Sequence, residues 1–298
     1  MLDMWSAGVL CPEAKVNVPF NSRGGREMNA MWLLVAICVL VIVSTTPADA
    51  QRAGTSAKAK KRLLVVSHTA GFRHEGAIKS FDKVIAELAE KSGQFTVDYC
   101  RTAEDVKQMM SPEALKKYDG VIFSNTTGNI GIPDLQAFLN WVKSGKGVIG
   151  IHAAADTYHD EPAFIEMLGG EFLTHGAQCE VEVIVEDAKH PAMTHLAPRF
   201  RVFDEIYEFK NNDRAKLHVL GSMDRHPPDG HPQAGQPGDY LLIWCKPYGK
   251  GRVFYTGLGH REDVIESEWY KQHILGGIRW ALGIIRNPQP RIGQPAAR

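Results

Sequence analysis

Short runs of purely apolar residues recur in the first half of the chain, at residues 63–66 (LLVV), 121–123 (VIF) and 148–151 (VIGI). Such runs are typical of strands that helices cover on both faces of a parallel sheet. Apolar stripes with helical spacing lie between and after them: Ile78, Phe81, Ile85 and Leu88; Leu135, Phe138, Leu139 and Val142; Tyr270, Ile274, Ile278, Ala281 and Ile285. This alternation predicts a doubly wound, flavodoxin-like α/β fold with right-handed crossovers.

The second half of the chain has a different pattern. Residues 179–183 (CEVEV) alternate strictly, as expected of a strand with one solvated face. The stretches 202–209, 216–222, 240–246 and 252–257 also resemble strands, and a Gly-rich turn joins the last two. We therefore expect an antiparallel extension of a mostly parallel sheet. The intervening segment 223–239 is rich in Pro and Gly, which suits a lid or a plain surface loop.

The N-terminal segment has the pattern of a secretory leader. Residues 30–43 are all apolar, Arg23 and Arg26 precede them, and residues 48–50 (ADA) have the form that signal peptidase recognises. The pattern predicts cleavage after Ala50 and export to the periplasm or the extracellular space. An uncleaved membrane anchor is the alternative, and Met28 is a second candidate start. We predict a leader at 1–50, a flexible lead-in at 51–61, one domain at 62–286 and a disordered tail at 287–298.

The composition narrows the function classes. Lys plus Arg and Asp plus Glu each number 34, the pI is near 7.2, and 44% of residues are hydrophobic. This balance excludes a disordered chain and gives no basic surface for nucleic acid. The five Cys include no C-x-x-C pair, which excludes a zinc knuckle or disulfide scaffold. An odd number remains after the leader, so at least one should be free and buried. None of these remaining thiols lies at a predicted strand-to-helix elbow.

Polar residues follow several predicted strands. In open α/β sheets ligands bind beyond the carboxyl ends of the strands. Residues 67–75 (SHTAGFRHE) follow the first strand, and 152–157 (HAAADT) follow the 148–151 strand. The small residues there permit a tight turn that presents His152, whose ring needs a partner if it is buried. Residues 169–175 (GGEFLTH), 204–207 (DEIY) and 257–262 (GLGHRE) complete the set.

These segments predict a histidine-lined site. Neutral imidazoles with one carboxylate suit Zn²⁺ or another divalent metal. The candidate metal ligands are His74, His152, His175, His260 and Glu205. The candidate catalytic residues are His152, His260, Glu262 and Asp156, and the candidate ligand-binding residues are Arg73, Phe72 and Tyr207. Two of the acids have other interpretations, Asp156 as a helix cap and Glu205 as an exposed edge-strand carboxylate.

Four motifs in order, SHTAGFRHEG, GVIGIHAAADT, DEIYEF and YGKGRVFYTGLGH, extend over residues 61–284. With them the chain closely resembles the ThuA-like (trehalose utilisation) family, which has the class I glutamine amidotransferase-like fold. The resemblance implies a role in the metabolism of trehalose or related sugars. It does not extend to a particular reaction.

Comparison with the broader amidotransferase fold implies that this chain is not a glutaminase. Those enzymes place a Cys nucleophile in a Gly-x-Cys elbow and supply a later His-x-Glu pair. The chain keeps His260 and Glu262 in that spacing, but residues 150–152 (GIH) put an imidazole where the thiol would be.

We therefore expect hydrolysis or elimination on a disaccharide or keto-sugar, assisted by a divalent metal or by an unmetallated His pair. No nucleotide cofactor is expected. The alternatives are a non-catalytic carbohydrate-binding or accessory module, and a scaffold that docks to a partner. We expect a small carbohydrate as ligand, no nucleic acid, and membrane contact only through an uncleaved leader. The sequence leaves the oligomeric state open.

Overall fold

The computed structural model describes residues 59–285 and 290–296. The strands are β1 (Lys61–Val66), β2 (Phe95–Cys100), β3 (Gly120–Ser124), β4 (Thr127–Gly128), β5 (Gly147–Ile151), β6 (Asp156–Thr157), β7 (Glu171–His175), β8 (Cys179–Val185), β9 (Arg199–Asp204), β10 (Tyr207–Lys210), β11 (His218–Arg225), β12 (Pro237–Tyr248) and β13 (Gly251–Thr256). The helices are α1 (Glu75–Ser92), α2 (Ala103–Met109), α3 (Pro112–Leu115), α4 (Leu135–Lys143), α5 (Pro162–Leu168), α6 (Glu262–Glu266) and α7 (Glu268–Ala281), with short 3₁₀ turns at His152–Ala155 and Arg214–Lys216.

Nine of these strands form one sheet in the order β2-β1-β3-β5-β13-β12-β11-β8-β9. The pairings from β2 to β13 are parallel, and those from β13 to β9 are antiparallel. The predicted doubly wound sheet with an antiparallel extension is therefore confirmed. Two smaller sheets pair β10 with β7 and β4 with β6.

Two apolar layers lie on opposite faces of the large sheet. Leu63 and Val65 pack into the layer formed with α1 and α7, while Leu64 and Val66 pack into the layer formed with α4 and α5. Alternate side chains of β1 thus point to opposite faces, and both faces are covered. This explains why its sequence is continuously apolar. The third predicted helical stripe is one turn too long, because α7 ends at Ala281 and Gly283 has φ of +63°.

The predicted strand at 202–209 is two strands. β9 pairs with β8 in the large sheet, whereas β10 pairs with β7. The chain changes sheets at Glu205 and Ile206. At this point the buried Asp204 carboxylate accepts hydrogen bonds from the amide of Glu205 and from two amides of the segment after β13. The loop predicted at 223–239 is also shorter, because β11 continues to Arg225 and β12 begins at Pro237.

The predicted leader, residues 1–50, lies outside the described residues, as do parts of the predicted lead-in and tail. Within the described ranges, no helix is both long enough and apolar enough to cross a membrane.

Candidate functional site

Three imidazoles meet at the carboxyl ends of the parallel strands β1, β5 and β13. His74 precedes α1 in the loop after β1, His152 directly follows β5, and His260 lies in the segment after β13. The ring centroid of His74 is 5.4 Å from that of His152 and 5.2 Å from that of His260. The structure thus brings these three of the predicted site residues together at one edge of the sheet.

His152 is presented by a strained turn. Its φ is +43°, in the left-handed region that non-glycine residues rarely adopt. Two contacts hold it there. The hydroxyl of Tyr255 donates to the main-chain carbonyl of His152 at 2.6 Å, and the His152 ring is itself buried and bonded through Nδ1 to the carbonyl of Gly257 at 2.9 Å. The predicted tight turn is confirmed, and so is the expectation that this ring finds a partner.

Glu205 joins the imidazoles from the break between β9 and β10. Its Oε2 atom lies 3.3 Å from Nε2 of His152 and 3.1 Å from Nδ1 of His260. One potential ligand atom from each of His74, His152, Glu205 and His260 lies within 4.8 Å of the other three. We call these four residues the imidazole–carboxylate cluster. His175 lies at its margin, with Nδ1 3.4 Å from Oε1 of Glu205.

The charges in the cluster favour an ionised Glu205 beside a neutral His74 ring. Burial opposes ionisation of Glu205, but hydrogen bonds with His152 and His260 hold its pKa well below the usual range. Burial, reinforced by the neighbouring imidazoles, lowers the pKa of His74 to about 3. His74 is therefore neutral near pH 7, and its buried Nδ1 has no hydrogen-bond partner among the described residues.

The partner of one ring nitrogen of His152 is fixed. A carbonyl oxygen only accepts hydrogen bonds, so the Nδ1 that faces Gly257 carries a ring proton. Its Nε2 faces the Glu205 carboxylate at 3.3 Å, where the two atoms can share either a proton or a metal ion. Metal-binding histidines commonly donate their second ring N–H to a carbonyl in this way. The donor set therefore fits a divalent cation.

Asp204 positions the segment that carries His260. Its two oxygens accept hydrogen bonds from the amide of Gly259 at 2.8 Å and from the amide of Arg261 at 3.0 Å. The hydroxyl of Tyr270 donates to the carbonyl of Leu258 at 3.0 Å. Sequence reasoning assigned no role to Asp204, although it stands beside Glu205 in the DEIY motif.

An open cleft of about 680 Å³ adjoins the cluster, and both His74 and His260 line it. Phe72 lines the same cleft and is 71% exposed, with its ring centroid 4.8 Å from that of His74. Arg73 also lines the cleft, and its guanidinium is held by Glu75 and by the carbonyl of Ser67. A ligand in the cleft would thus touch an aromatic ring, a cation and two imidazoles.

The remaining predicted site residues lie elsewhere or have other contacts. Asp156 hydrogen bonds to His159, which also bonds to Glu171 at 2.7 Å, so Asp156 is paired outside the cluster. Glu262 lines the cleft but makes no hydrogen bond with the described imidazoles, and its carboxylate faces Gly76. No role for His159 is predicted from the sequence. Both Glu205 and Glu262 are sequence-based candidate site residues, and the structure places Glu205 beside His260.

Tyr207, predicted to bind ligand, is a buried packing residue in this structure. Its ring centroid lies 4.1 Å from that of His152 and 4.3 Å from that of Phe172. Burial raises the pKa of its phenol. Tyr207 therefore packs against the His152 ring. The ring of His175, whose side chain is 41% exposed, stacks on that of Tyr207.

The three cysteines in the described part of the chain are not placed to act as nucleophiles in the cluster. Cys100, Cys179 and Cys245 are all free and buried, which confirms the prediction of at least one such thiol. Contrary to the sequence-based placement, Cys100 does lie at a strand-to-helix junction, since it ends β2 just before α2. Burial raises the pKa of its thiol to about 12, so it is not a reactive thiolate near neutral pH.

Comparisons with known proteins agree with this architecture. A family model described as ThuA, trehalose utilisation, matches residues 62–281. A ThuA-like protein from Bacteroides uniformis ATCC 8492 is 23% identical with a TM-score of 0.59, covering 76% of this chain and 93% of that chain. A ThuA-like protein from Parabacteroides merdae ATCC 43184 is 19% identical with a TM-score of 0.61, covering 80% and 93%. These likenesses show the shared fold. No curated protein matches the sequence.

Proposed function

The chain belongs to the ThuA, or trehalose utilisation, family, and on that premise we propose that its imidazole–carboxylate cluster holds a divalent metal ion and transforms a sugar-derived substrate. The observation that carries the proposal is the bond from His152 Nδ1 to the Gly257 carbonyl. This bond leaves His152 Nε2 as the ring nitrogen that faces an ionised carboxylate oxygen of Glu205, at 3.3 Å. A divalent ion bound to both atoms would take the place of the proton that otherwise joins them.

Three residues would hold the ion: His74, His152 and Glu205. Two neutral imidazoles and one carboxylate form a donor set typical of catalytic zinc, which keeps a coordination position open for substrate. His260 is the natural residue to face that substrate, because it is 22% exposed and lines the cleft. A bound divalent ion would polarise a carbonyl or hydroxyl oxygen of the sugar as a Lewis acid.

His260 then serves as the proton acceptor. Its Nδ1 faces the Glu205 carboxylate at 3.1 Å and donates to it, which leaves Nε2 as the ring nitrogen that could take a proton from substrate. Removing the proton from the carbon next to a sugar carbonyl would give an enolate. Its electrons would then form the C=C bond as the C–O bond at the β-carbon breaks, and the departing sugar oxygen would take up a proton, which completes β-elimination.

Acid-catalysed glycoside hydrolysis fits the cluster less well. It needs a carboxylic acid that keeps its proton until the leaving oxygen takes it. The pKa of Glu205 is held well below its usual range by its imidazole partners, so this carboxylate has no proton to give. We therefore favour elimination on a keto-sugar over hydrolysis of a disaccharide. Glutaminase chemistry is not proposed, because His152 occupies the elbow.

The proposed mechanism gives His152 and His260 different roles: His152 binds the metal ion, and His260 accepts a proton. Variants of the two residues should therefore behave differently. Metal content and turnover of a keto-disaccharide are measured for the purified chain 51–298 and for three variants. His152→Ala should lose the metal of the cluster and all turnover, whereas His260→Ala should keep the metal and lose turnover. His159→Ala, outside the cluster, should keep both. Absence of metal at the cluster together with unchanged ligand binding in the first two variants would refute the proposal.

A second candidate is a carbohydrate-binding module without catalysis, which the exposed ring of Phe72 favours. Aromatic rings stack on sugar faces whether or not a reaction follows. Isothermal titration with trehalose and with its keto form, beside product analysis, distinguishes the two functions. Binding that Phe72→Ala removes, with no conversion at any metal concentration, would favour the module.

The exported location stays a prediction that rests on residues 23–50 alone. Mass spectrometry of the protein recovered from its producing cell tests it. Cleavage after Ala50 should give a chain that begins at Gln51, and an intact N-terminus would favour the anchor.

A further inference from the structure

A second group of potential ligands lies outside the imidazole–carboxylate cluster. Glu208 belongs to β10, while His226 and His231 belong to the loop between β11 and β12. One potential ligand atom from each of the three lies within 4.8 Å of the other two. We propose that Glu208, His226 and His231 form a second divalent-metal site, preferring zinc, which fastens this loop to β10. The proposal does not depend on a metal at the first cluster.

His226 is oriented in the same way as His152. Its side chain is fully buried, and its Nδ1 lies 3.0 Å from the carbonyl of Pro227. Because a carbonyl only accepts, Nδ1 carries a ring proton, and Nε2 is the nitrogen left to bind a metal ion. That Nε2 lies 2.8 Å from Oε1 of Glu208. Neither atom has a hydrogen-bond partner among the described residues.

His231 completes the group from the far side of the loop. Its ring stacks on that of His226, with centroids 5.1 Å apart and planes inclined by 21°. Its main-chain amide donates to Asp229 at 3.0 Å, which fixes the turn that carries it. The Gln233 amide donates to Nδ1 of His231 at 3.3 Å, a longer bond than usual. This half-buried ring is therefore the member most able to turn toward an ion.

The charge balance favours a divalent ion over a single proton. Besides Glu208, the carboxylate of Asp229 lies 3.9 Å from His226 Nδ1, and its side chain is 1% exposed. One oxygen of Asp229 has no hydrogen-bond partner among the described residues. A proton on His226 would neutralise one of the two buried carboxylates. A doubly charged ion would balance both, and two imidazoles with a carboxylate are suitable zinc donors.

The position of the group suggests what the metal stabilises. The carbonyl of Asp229 accepts a hydrogen bond from the Ala177 amide at 2.8 Å, which ties the loop to the turn after β7. His175 lies at the end of β7, at the margin of the first cluster. On β10, Glu208 directly follows Tyr207, which supports His152. An ion here would hold the loop and β10 together beside the cleft.

Zinc stoichiometry tests the proposal on the chain 51–298. The chelator-stripped protein is titrated with Zn²⁺, and bound metal is counted by mass spectrometry for wild type, His231→Ala, Glu208→Gln and His152→Ala. We expect His231→Ala and Glu208→Gln to bind one equivalent fewer than wild type. His152→Ala should keep the equivalent that those two lose. This last comparison distinguishes failure of the first site from failure of the second.

The effect of Zn²⁺ on the rate of proteolysis in the loop is a second measurement, and a variant that merely folds poorly would not reproduce it. Arg225 is exposed and directly precedes His226, so trypsin cleavage after it reports opening of the loop. With Zn²⁺ at ten times its Kd, a metal-fastened loop should be cut about tenfold more slowly. Glu208→Gln is nearly isosteric and should lose this zinc effect, while His152→Ala should retain it. Equal stoichiometry in wild type, His231→Ala and Glu208→Gln, with no zinc effect on cleavage, would overturn the proposal and leave a protonated His226–Glu208 ion pair.

Discussion

Nε2 of His152 and Nδ1 of His260 lie 3.3 Å apart, although 108 positions separate the two residues in the chain. The contact arises because β5 and β13 are neighbouring parallel strands whose carboxyl ends meet. Two ring nitrogens at this distance cannot both direct a proton at each other. The carboxylate of Glu205, within 3.3 Å of both, therefore organises the pair.

Glu205→Gln should weaken metal binding at the cluster by about 100-fold or more. Loss of a residue that only orients a ligand already costs about 10–100-fold in affinity, and here a charged ligand is removed. Competition with a chromophoric zinc chelator measures the change. Glu262→Gln is the matched control, since that carboxylate lines the cleft without bonding to the imidazoles. Equal affinities in the two variants would rule out Glu205 as a ligand.

Asp204→Asn should destabilise the fold by about 3 kcal/mol, because charge-assisted hydrogen bonds contribute about 1.5–3 kcal/mol each. Burial raises the pKa of Asp204, while the hydrogen bonds that its carboxylate accepts from backbone N–H groups favour the charged form. In Asp204→Asn, the side-chain NH₂ group would replace one of the two oxygens and would point at a backbone N–H, so that two donors would face each other without an acceptor. Urea unfolding at pH 7 measures the loss. A change below about 0.5 kcal/mol, within the range of ordinary surface substitutions, would contradict this role.

Gly259→Ala should displace His260 and reduce turnover more than it reduces substrate binding elsewhere in the cleft. Gly259 has φ of +109°, and a Cβ there would collide with the Tyr270 hydroxyl. Adding Tyr270→Phe removes the colliding atom but leaves the backbone strain. The double variant should therefore recover part of the thermal stability lost by Gly259→Ala. Purely additive losses would show that the collision is not the cause.

His273, which is not a member of the cluster, should make the stability of the fold depend on pH. Burial lowers the pKa of this ring to about 4, while the unfolded chain has the ordinary value near 6.5. Between these values the unfolded state binds more protons, so the free energy of unfolding falls as the pH drops from 6.5 to 4. The loss reaches at most about 3 kcal/mol.

His273→Asn tests this dependence. The Asn amide can still donate to the Ala192 carbonyl, which accepts from His273 Nδ1 at 2.9 Å, but it does not titrate. Urea unfolding of metal-free protein at pH 7 and pH 5 should show a smaller decrease for the variant than for wild type. Identical decreases would mean that the buried ring does not titrate between the two states. Burial also lowers the pKa of His190, to about 3, so the stability of both wild type and His273→Asn should still depend on pH to some extent.

Much of the fold could be predicted from the sequence, because a strand that is buried on both faces has a continuously apolar sequence. The runs at 63–66 and 148–151 are continuously apolar since helices cover both sides of β1 and β5. Any polar residue just past such a strand falls at the carboxyl edge of the sheet. The convergence of His74, His152 and His260 was therefore predictable without coordinates.

Only the tertiary structure decided which acid joins these histidines. Residues 202–209 look like one strand because hydrophobic alternation reports burial and not the identity of the pairing strand. The bonds from Asp204 to the segment after β13 turn the chain at 205 and bring Glu205 to His260. Glu262 is only two residues from His260, yet it faces Gly76. Local spacing fixes which residues can meet within one element, but contacts between distant segments depend on how the whole chain packs.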